Sequence, residues 1–288
     1  MQPRSLELPD WSVLPVSGPD AAAFLHAQLM NDVRSLADGQ WQWTGWLTPK
    51  GRVRFIGLLL RAAPDRFLLV VPDWRADELA DAFGRFVFRS KVAFDAVGAW
   101  RVAGETADAT RADAPDHAMQ NAAGWSLDVG GDGCARTLHL LDPAAGGAAL
   151  ETAEAEFTDA WRARDLTFGL PRLANAQREA FTPQMLSLER LRAFSLAKGC
   201  YPGQEIVSRT HYLGQAKRGL ALFEGEGLAA GDEVLDAAGT AVGSLASATG
   251  DGRLALAVLA RDRGPGSLRA SGRELREQPL VGGLQRPV

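Results

Sequence analysis

The chain has 288 residues, 46% of them hydrophobic and 23% charged, which excludes a disordered chain and suits two or three packed units. A formal net charge of -4, with a pI of about 5.7, supplies no global attraction to nucleic acid. Two distant cysteines, Cys134 and Cys200, argue against a disulfide framework, and with the scattered His26, His117, His139 and His211 they give no metal-ligand spacing.

The N-terminal stretch has no long apolar run, so no signal peptide is expected. No segment approaches the ~18 apolar residues of a membrane span, and a cytoplasmic protein is the expectation. Residues 11–16 read as a strand. Ser17 and Asp20 resemble a capping box with Pro19 in the first turn, and Ala21, Phe24, Leu25 and Leu29 follow at helical spacing up to about Asn31. Residues 40–47 and 52–61 form two strands joined by the turn Thr48-Pro49-Lys50-Gly51. Trp41 and Trp43 share one face and Trp46 the other, as core residues or as a cavity wall; Val53, Phe55, Gly57 and Leu59 share a face of the next strand. Arg52 and Arg54 line a channel or face solvent.

A third strand, 66–71, follows the Pro64-Asp65 turn. The helix after it carries Leu79, Ala82, Phe83, Phe86 and Val87 on one side. Arg85, Arg89 and Lys91 flank its end, where cations complement the dipole, and are not read as an RNA site. With a strand start at 91–94, the order β-α-β-β-β-α-β predicts an antiparallel α+β unit. Residues 105–123 are polar and read as a loop or exposed hairpin, 137–141 as a strand, 143–147 as a break, and 151–164 as a helix carrying Phe157, Ala160, Trp161 and Arg164. Short strands at 219–224, 232–235, 240–248 and 253–260, separated by glycine turns, predict a small C-terminal β-barrel or sandwich. The expected units are 1–95, 96–214 and 215–288, with 282–288 frayed.

One segment stands apart: Lys198-Gly199-Cys200-Tyr201-Pro202-Gly203-Gln204-Glu205. Pro202-Gly203 favours a type II turn, and an ammonium, a thiol, a phenol, an amide and a carboxylate share eight residues. Lys198 would lower the thiol pKa if its ammonium lay beside Cys200. Chemistry alone favours a structural turn, since Pro-Gly turns are common and lone cysteines are mostly buried and inert.

This segment is similar to the K-G-C-Y-x-G-Q-E signature of the YgfZ-type branch of the aminomethyltransferase-like proteins, matching at every fixed position. Gly169-Leu170-Pro171-Arg172, Phe181-Thr182-Pro183-Gln184, Ile206 to Arg209, Tyr212-Leu213-Gly214 with Lys217-Arg218, Gly18-Pro19-Asp20, Phe24-Leu25, Asn31-Asp32-Val33 and Pro49-Lys50-Gly51-Arg52 resemble their counterparts. The resemblance runs from about residue 10 to 260 and is weakest between 100 and 155. Ser187-Leu188-Glu189 stands where the family often has asparagine, leucine and aspartate.

The resemblance implies an α+β, T-protein-like folate-binding body of two α+β units around a central channel, followed by a C-terminal β-barrel. It implies tetrahydrofolate or a one-carbon derivative as cofactor. Its implied partners are iron–sulfur assembly or client proteins, including radical enzymes that thiomethylate tRNA, with no direct nucleic-acid or membrane contact expected. Glu189 or Glu205 would pair with the pterin amide edge, and Arg209, Lys217 or Arg218 would hold the glutamyl tail; the plain alternative for each is a surface ion pair. Cys200, with Lys198, is the candidate reactive centre within Gly199, Tyr201, Gly203, Gln204 and Glu205. Its open roles are redox chemistry, transient sulfur or cluster contact, and attack on a folate-borne one-carbon unit. Two rivals stand beside this reading. One is a true aminomethyltransferase, against which Leu196 occupies the place of a glutamate typical four residues before that cysteine. The other is a non-catalytic folate sensor or scaffold.

Overall fold

The computed structural model describes residues 5–107, 115–145, 154–214 and 216–286. Its first half comprises β1 (Leu6–Glu7), β2 (Trp11–Ser17), α1 (Ala21–Gln28), β3 (Trp41–Leu47), β4 (Val53–Ala63), β5 (Arg66–Pro72), α2 (Ala76–Gly84) and β6 (Ala93–Phe94). Strands β3-β4-β5-β2-β6 make one antiparallel sheet. Trp41 and Trp43 enter the large core facing the second sheet, whereas Trp46 packs under α1 and α2 with Phe55 and Phe83. The period-2 alternation of β3 therefore serves two cores, as the sequence predicts. A bulge between Trp46 and Leu47 breaks the parity in β4: Val53 falls in the first core and Phe55 in the second, so these two do not share a face.

The expected capping box does not form. Asp20 accepts the Lys91 N–H at 2.7 Å and Ser17 Oγ donates to Asp95, so both side chains tie β6 down instead of capping α1. Helix α1 stops at Gln28 because Leu29 turns extended, with φ -88 and ψ 152. Helix α2 ends at Gly84, leaving Phe86 and Val87 beyond it.

The second sheet contains β7 (Arg101–Ala107), β8 (Met119–Asn121), β9 (Gly124–Asp128) and β10 (Ala135–Leu141), in the order β1-β7-β10-β9-β8. The end of β7 and the exposed β8, which pairs with β9 as a hairpin, fall in the segment read as a loop or exposed hairpin; residues 108–114 lie outside the described residues. Ala103, Gly104 and Glu105 have weak strand preference, and tertiary pairing overrides it. A Cβ on Gly104 would lie 2.7 Å from Trp161, so glycine lets α3 (Ala155–Thr167) approach the sheet. The start of the helix expected from 151, and the boundary at 215, fall outside the described residues.

Helix α4 (Gln204–Leu213) follows the signature turn and is unread in the sequence. The barrel is closed by six strands, β11 (Arg218–Glu224), β12 (Glu233–Leu235), β13 (Ala241–Ala248), β14 (Leu254–Ala260), β15 (Leu268–Ala270) and β16 (Arg273–Gln278). Phe223, Val234, Leu245, Leu259 and Leu275 fill it. The sequence reading misses its last two strands: β15 has only three residues, and the arginines and glutamates of β16 hide its strand pattern.

The tail does not fray where it is described. Trp43 Nε1 donates to the Leu284 carbonyl at 2.8 Å, and the Arg286 guanidinium stacks 4.7 Å from Trp41 while donating to the carbonyls of Asp128 and Gly130. Residues 287 and 288 lie outside the described residues. The two body units are also joined by a buried ion cluster. Arg172 reaches Asp10 at 2.5 Å, Asp73 at 2.8 Å and Asp165 at 3.0 Å; Arg136 meets Asp165 and Arg162 meets Asp73.

Candidate functional site

The segments that resemble the family motifs meet in space. Phe181 O accepts the Val53 N–H at 2.8 Å, Arg52 donates to Ala180 O at 2.7 Å, and Gln184 Nε2 donates to Val207 O at 2.8 Å. The β3–β4 turn closes through Gly51 N–H to Thr48 O at 2.9 Å. Against it lies the signature turn. A Cβ on Gly203 would sit 2.6 Å from Gly51 Cα, and one on Gly51 would sit 2.8 Å from Ile206. Gly203, at φ 80 and ψ 0, is the third residue of the expected type II turn, with Gln204 N–H donating to Tyr201 O at 3.2 Å.

The structure assigns different surroundings to the signature residues. Lys198 is buried, and its ammonium donates to the carbonyls of His26 and Leu29, which end α1. A cation there meets orphan carbonyls and the negative end of the helix dipole. Burial pushes its pKa down to about 8, against the opposing charge of Asp32. The Tyr201 ring lies 4.8 Å from the ammonium, its hydroxyl reaches Ser195 O at 3.4 Å, and burial pushes the phenol up to about 12. Gln204 Nε2 closes the loop onto Lys198 O at 3.2 Å. Cys200, between these anchors, is an exposed free thiol; Cys134 is a half-buried one, 3.0 Å from Arg164. Under the loop, His26 pairs with Asp32 at 3.2 Å, and burial followed by the Lys198 charge lowers its pKa.

Glu189 occupies a separate place, the junction of body and barrel. It lies on the 3-10 turn Leu188–Leu191, flanked by Ser187 at φ 49 and Arg192 at φ 52. These left-handed residues are held from both sides: Asn31 Nδ2 donates to Arg192 O at 2.8 Å, and Ser187 Oγ accepts the Leu220 N–H at 3.2 Å. Glu189 and Arg190 form the shared wall of two cavities of about 370 and 400 Å³. The tail residues Val281–Gln285 line the first, and Arg261, Arg263 and Glu277 of the barrel line the second. Burial raises the Glu189 pKa, opposed by its own backbone N–H and by Arg261, Arg190 and His211. Arg261 approaches only to 4.0 Å, and half of the Glu189 side chain stays open to water.

Glu205 and Arg209 are exposed on α4, and Lys217 and Arg218 are exposed where the barrel begins. The carbonyls of Lys217 and Arg218 accept from Arg261, which brings the barrel entrance to the Glu189 cleft. Sequence reading misses Arg261 and His211, since nothing local marks a turn residue after a strand or an exposed helix residue as facing a distant carboxylate.

No family model matches the chain. A tRNA-modifying protein YgfZ from Edwardsiella ictaluri is 30% identical over 243 residues, which cover 76% of this chain and 70% of that protein. The chain belongs to the YgfZ family. A second YgfZ, from Pectobacterium carotovorum, is 28% identical over 240 residues, covering 78% of this chain and 72% of that protein. The glycine cleavage system aminomethyltransferase T of Bartonella henselae superposes with a TM-score of 0.70 over 99% of this chain and 87% of its own, at 16% identity. YgfZ membership is thus joined to a T-protein-like fold.

Proposed function

We propose that this YgfZ-family chain binds tetrahydrofolate or a one-carbon derivative in the body–barrel cleft and thereby supports iron–sulfur enzymes that modify tRNA. The observation that carries this reading is Glu189: a carboxylate with a raised pKa, on a turn fixed from both sides, facing cavities where no guanidinium among the described residues comes nearer than 4.0 Å. Such a group suits the amide and amino edge of a pterin, which a surface ion pair would not need. Arg261, with Arg218 beside it, supplies cations for a glutamyl tail, and the exposed Lys217 and Arg209 are further candidates for it. Glu205 is the second candidate carboxylate. Lys198, Tyr201 and Gly203 position the loop, and Cys200 is the group it exposes for reaction with a client or a ligand. The cofactor supplies one-carbon or redox capacity when bound; the chain orients it and presents the thiol.

The test is a titration of the folded protein with reduced tetrahydrofolate, followed by the fluorescence of its 8 tryptophans and by calorimetry. Saturation at micromolar levels, weakened in Glu189→Gln, supports the reading. No binding by either method sinks the folate assignment and leaves the T-protein-like fold without that ligand.

A further inference from the structure

A third cavity, of about 520 Å³, opens beside the last turn of α2 and is built differently from the Glu189 cleft. Two arginines in it are stacked on indoles. Arg54 lies 4.4 Å from the Trp46 ring, and Arg178 lies 3.8 Å from the Trp74 ring. Arg85 stands exposed at the end of α2, and Phe86 completes the aromatic wall. Arg54 is met by Glu179 at 2.9 Å, whereas Arg178 donates to the Asp73 carbonyl at 2.6 Å, with Asp73's carboxylate already taken by Arg172 and Arg162. Glu179 is held at φ 64, an unfavourable backbone region for glutamate that its N–H bond to Val53 O helps fix.

Among the described lining residues three guanidiniums face one carboxylate, an excess of two positive charges on the wall itself, with Glu78 and Asp73 acting on Arg178 from beside it. A carboxylate ligand would neutralise one; a phosphate monoester carries about -1.5 to -2 at neutral pH and would neutralise both. The cavity is also larger than a bare oxyanion requires and falls in the range of organic ligand sites, roughly 300–1,000 Å³. Each stacked guanidinium has one nitrogen committed, Arg54 Nε to Glu179 and Arg178 Nη2 to the Asp73 carbonyl, and offers its remaining N–H groups to a ligand oxygen while the planes and the aromatic wall accept a flat ring.

We propose that this cavity binds a planar aromatic group carrying a phosphate monoester, of the nucleoside 5′-monophosphate class, with the phosphate on Arg85 and Arg178 and the ring against Phe86 and the arginine-covered indoles. The ring would quench Trp46 and Trp74. The test titrates the full chain separately with AMP, GMP, CMP and UMP, with the matching nucleosides, and with inorganic phosphate. At least one nucleotide is expected to saturate below about 1 mM, and its nucleoside and inorganic phosphate each to bind about tenfold more weakly. Arg178→Gln and Arg85→Glu are each expected to weaken the nucleotide about tenfold or more. Because Arg178 also holds the Asp73 carbonyl, Arg85→Glu, at an exposed position, is the variant that keeps the fold, checked by an unchanged melting temperature. The proposal fails if none of the four nucleotides binds, if the nucleoside binds as tightly as its nucleotide, or if Arg85→Glu leaves the affinity unchanged. It also fails if tetrahydrofolate competes with the nucleotide, because one shared site would then account for both.

Discussion

At Arg172 three carboxylates close on one guanidinium within 2.5–3.0 Å, and the arginine is fully buried. At Glu189 one guanidinium comes no nearer than 4.0 Å and the carboxylate remains half exposed. The first cluster spends its electrostatics internally, holding β2, β5 and α3 together. The second keeps a charge whose environment raises its pKa, and that is a property a ligand can use. Their pH responses have opposite signs. Burial alone would raise Asp73, but Arg172 and then Arg162 hold it below the usual carboxylate range. Its contribution is present above an unfolded pKa of 3.8 and is lost as pH falls through the lower folded value. Glu189, raised above 4.5, binds its proton more tightly when folded, so stability declines as pH rises from 4.5 through the folded value.

The largest expected effect follows from breaking the filled cluster. Arg172→Met leaves Asp10, Asp73 and Asp165 with unmet charge, and removing one partner from a buried ion cluster costs about 3–5 kcal/mol. Urea denaturation should show this loss at neutral pH and a smaller loss near pH 3, where protonation relieves the carboxylates. An equal loss at both pH values would mean that packing, and not charge, dominates at this position.

The signature loop contains the same contrast in miniature, with Lys198, Tyr201 and Gly203 locked and Cys200 open. Gly203→Ala must place a Cβ 2.6 Å from Gly51 Cα at φ 80. Strain of this kind costs about 1–3 kcal/mol, and backbone displacement would add to it. Hydrogen exchange should show α4 and the Thr48–Gly51 turn loosening together. Exchange that rises in α4 alone would break the coupling of the two motifs.

Glu189→Gln tests the open cluster. It removes a charge that the fold does not need, so stability at pH 7 should change by no more than about 0.5 kcal/mol, as for other surface sites. Tetrahydrofolate affinity should fall about tenfold, the size of one charge-assisted hydrogen bond. A melting temperature that drops as in Arg172→Met would move Glu189 into the structural class.

Much of this was legible before the structure. Period-2 alternation placed Trp41 and Trp43 opposite Trp46, and proline with glycine marked the Thr48–Gly51 and Pro202-Gly203 turns. Glycine-separated apolar runs gave four of the barrel strands. What was hidden depends on long-range partners. The centre of strand β7, Ala103 to Glu105, has weak strand preference, and Arg172 in Gly169-Leu170-Pro171-Arg172 reveals no role until Asp10, Asp73 and Asp165 converge on it. Lys198 reads in sequence as a charge that would activate Cys200, yet its ammonium is committed to the end of α1, an assignment only the packing of α1 supplies. The Glu189 cleft needs Arg261 from the turn after β14, much later in the chain.

Cys200→Ser carries the smallest expected change in stability, within about 0.5 kcal/mol, because the thiol is exposed and its neighbours hold the loop. Folate affinity should also be unchanged. The difference should appear in function: cells lacking the native protein and supplied with the serine variant should lose thiomethylated tRNA, while the wild-type chain restores it. Rescue by the serine variant would make the exposed thiol dispensable and favour a folate-binding scaffold. Loss of rescue together with loss of folate affinity would place Cys200 in the binding site. Only loss of rescue with affinity intact assigns the thiol a chemical step separate from the cleft at Glu189.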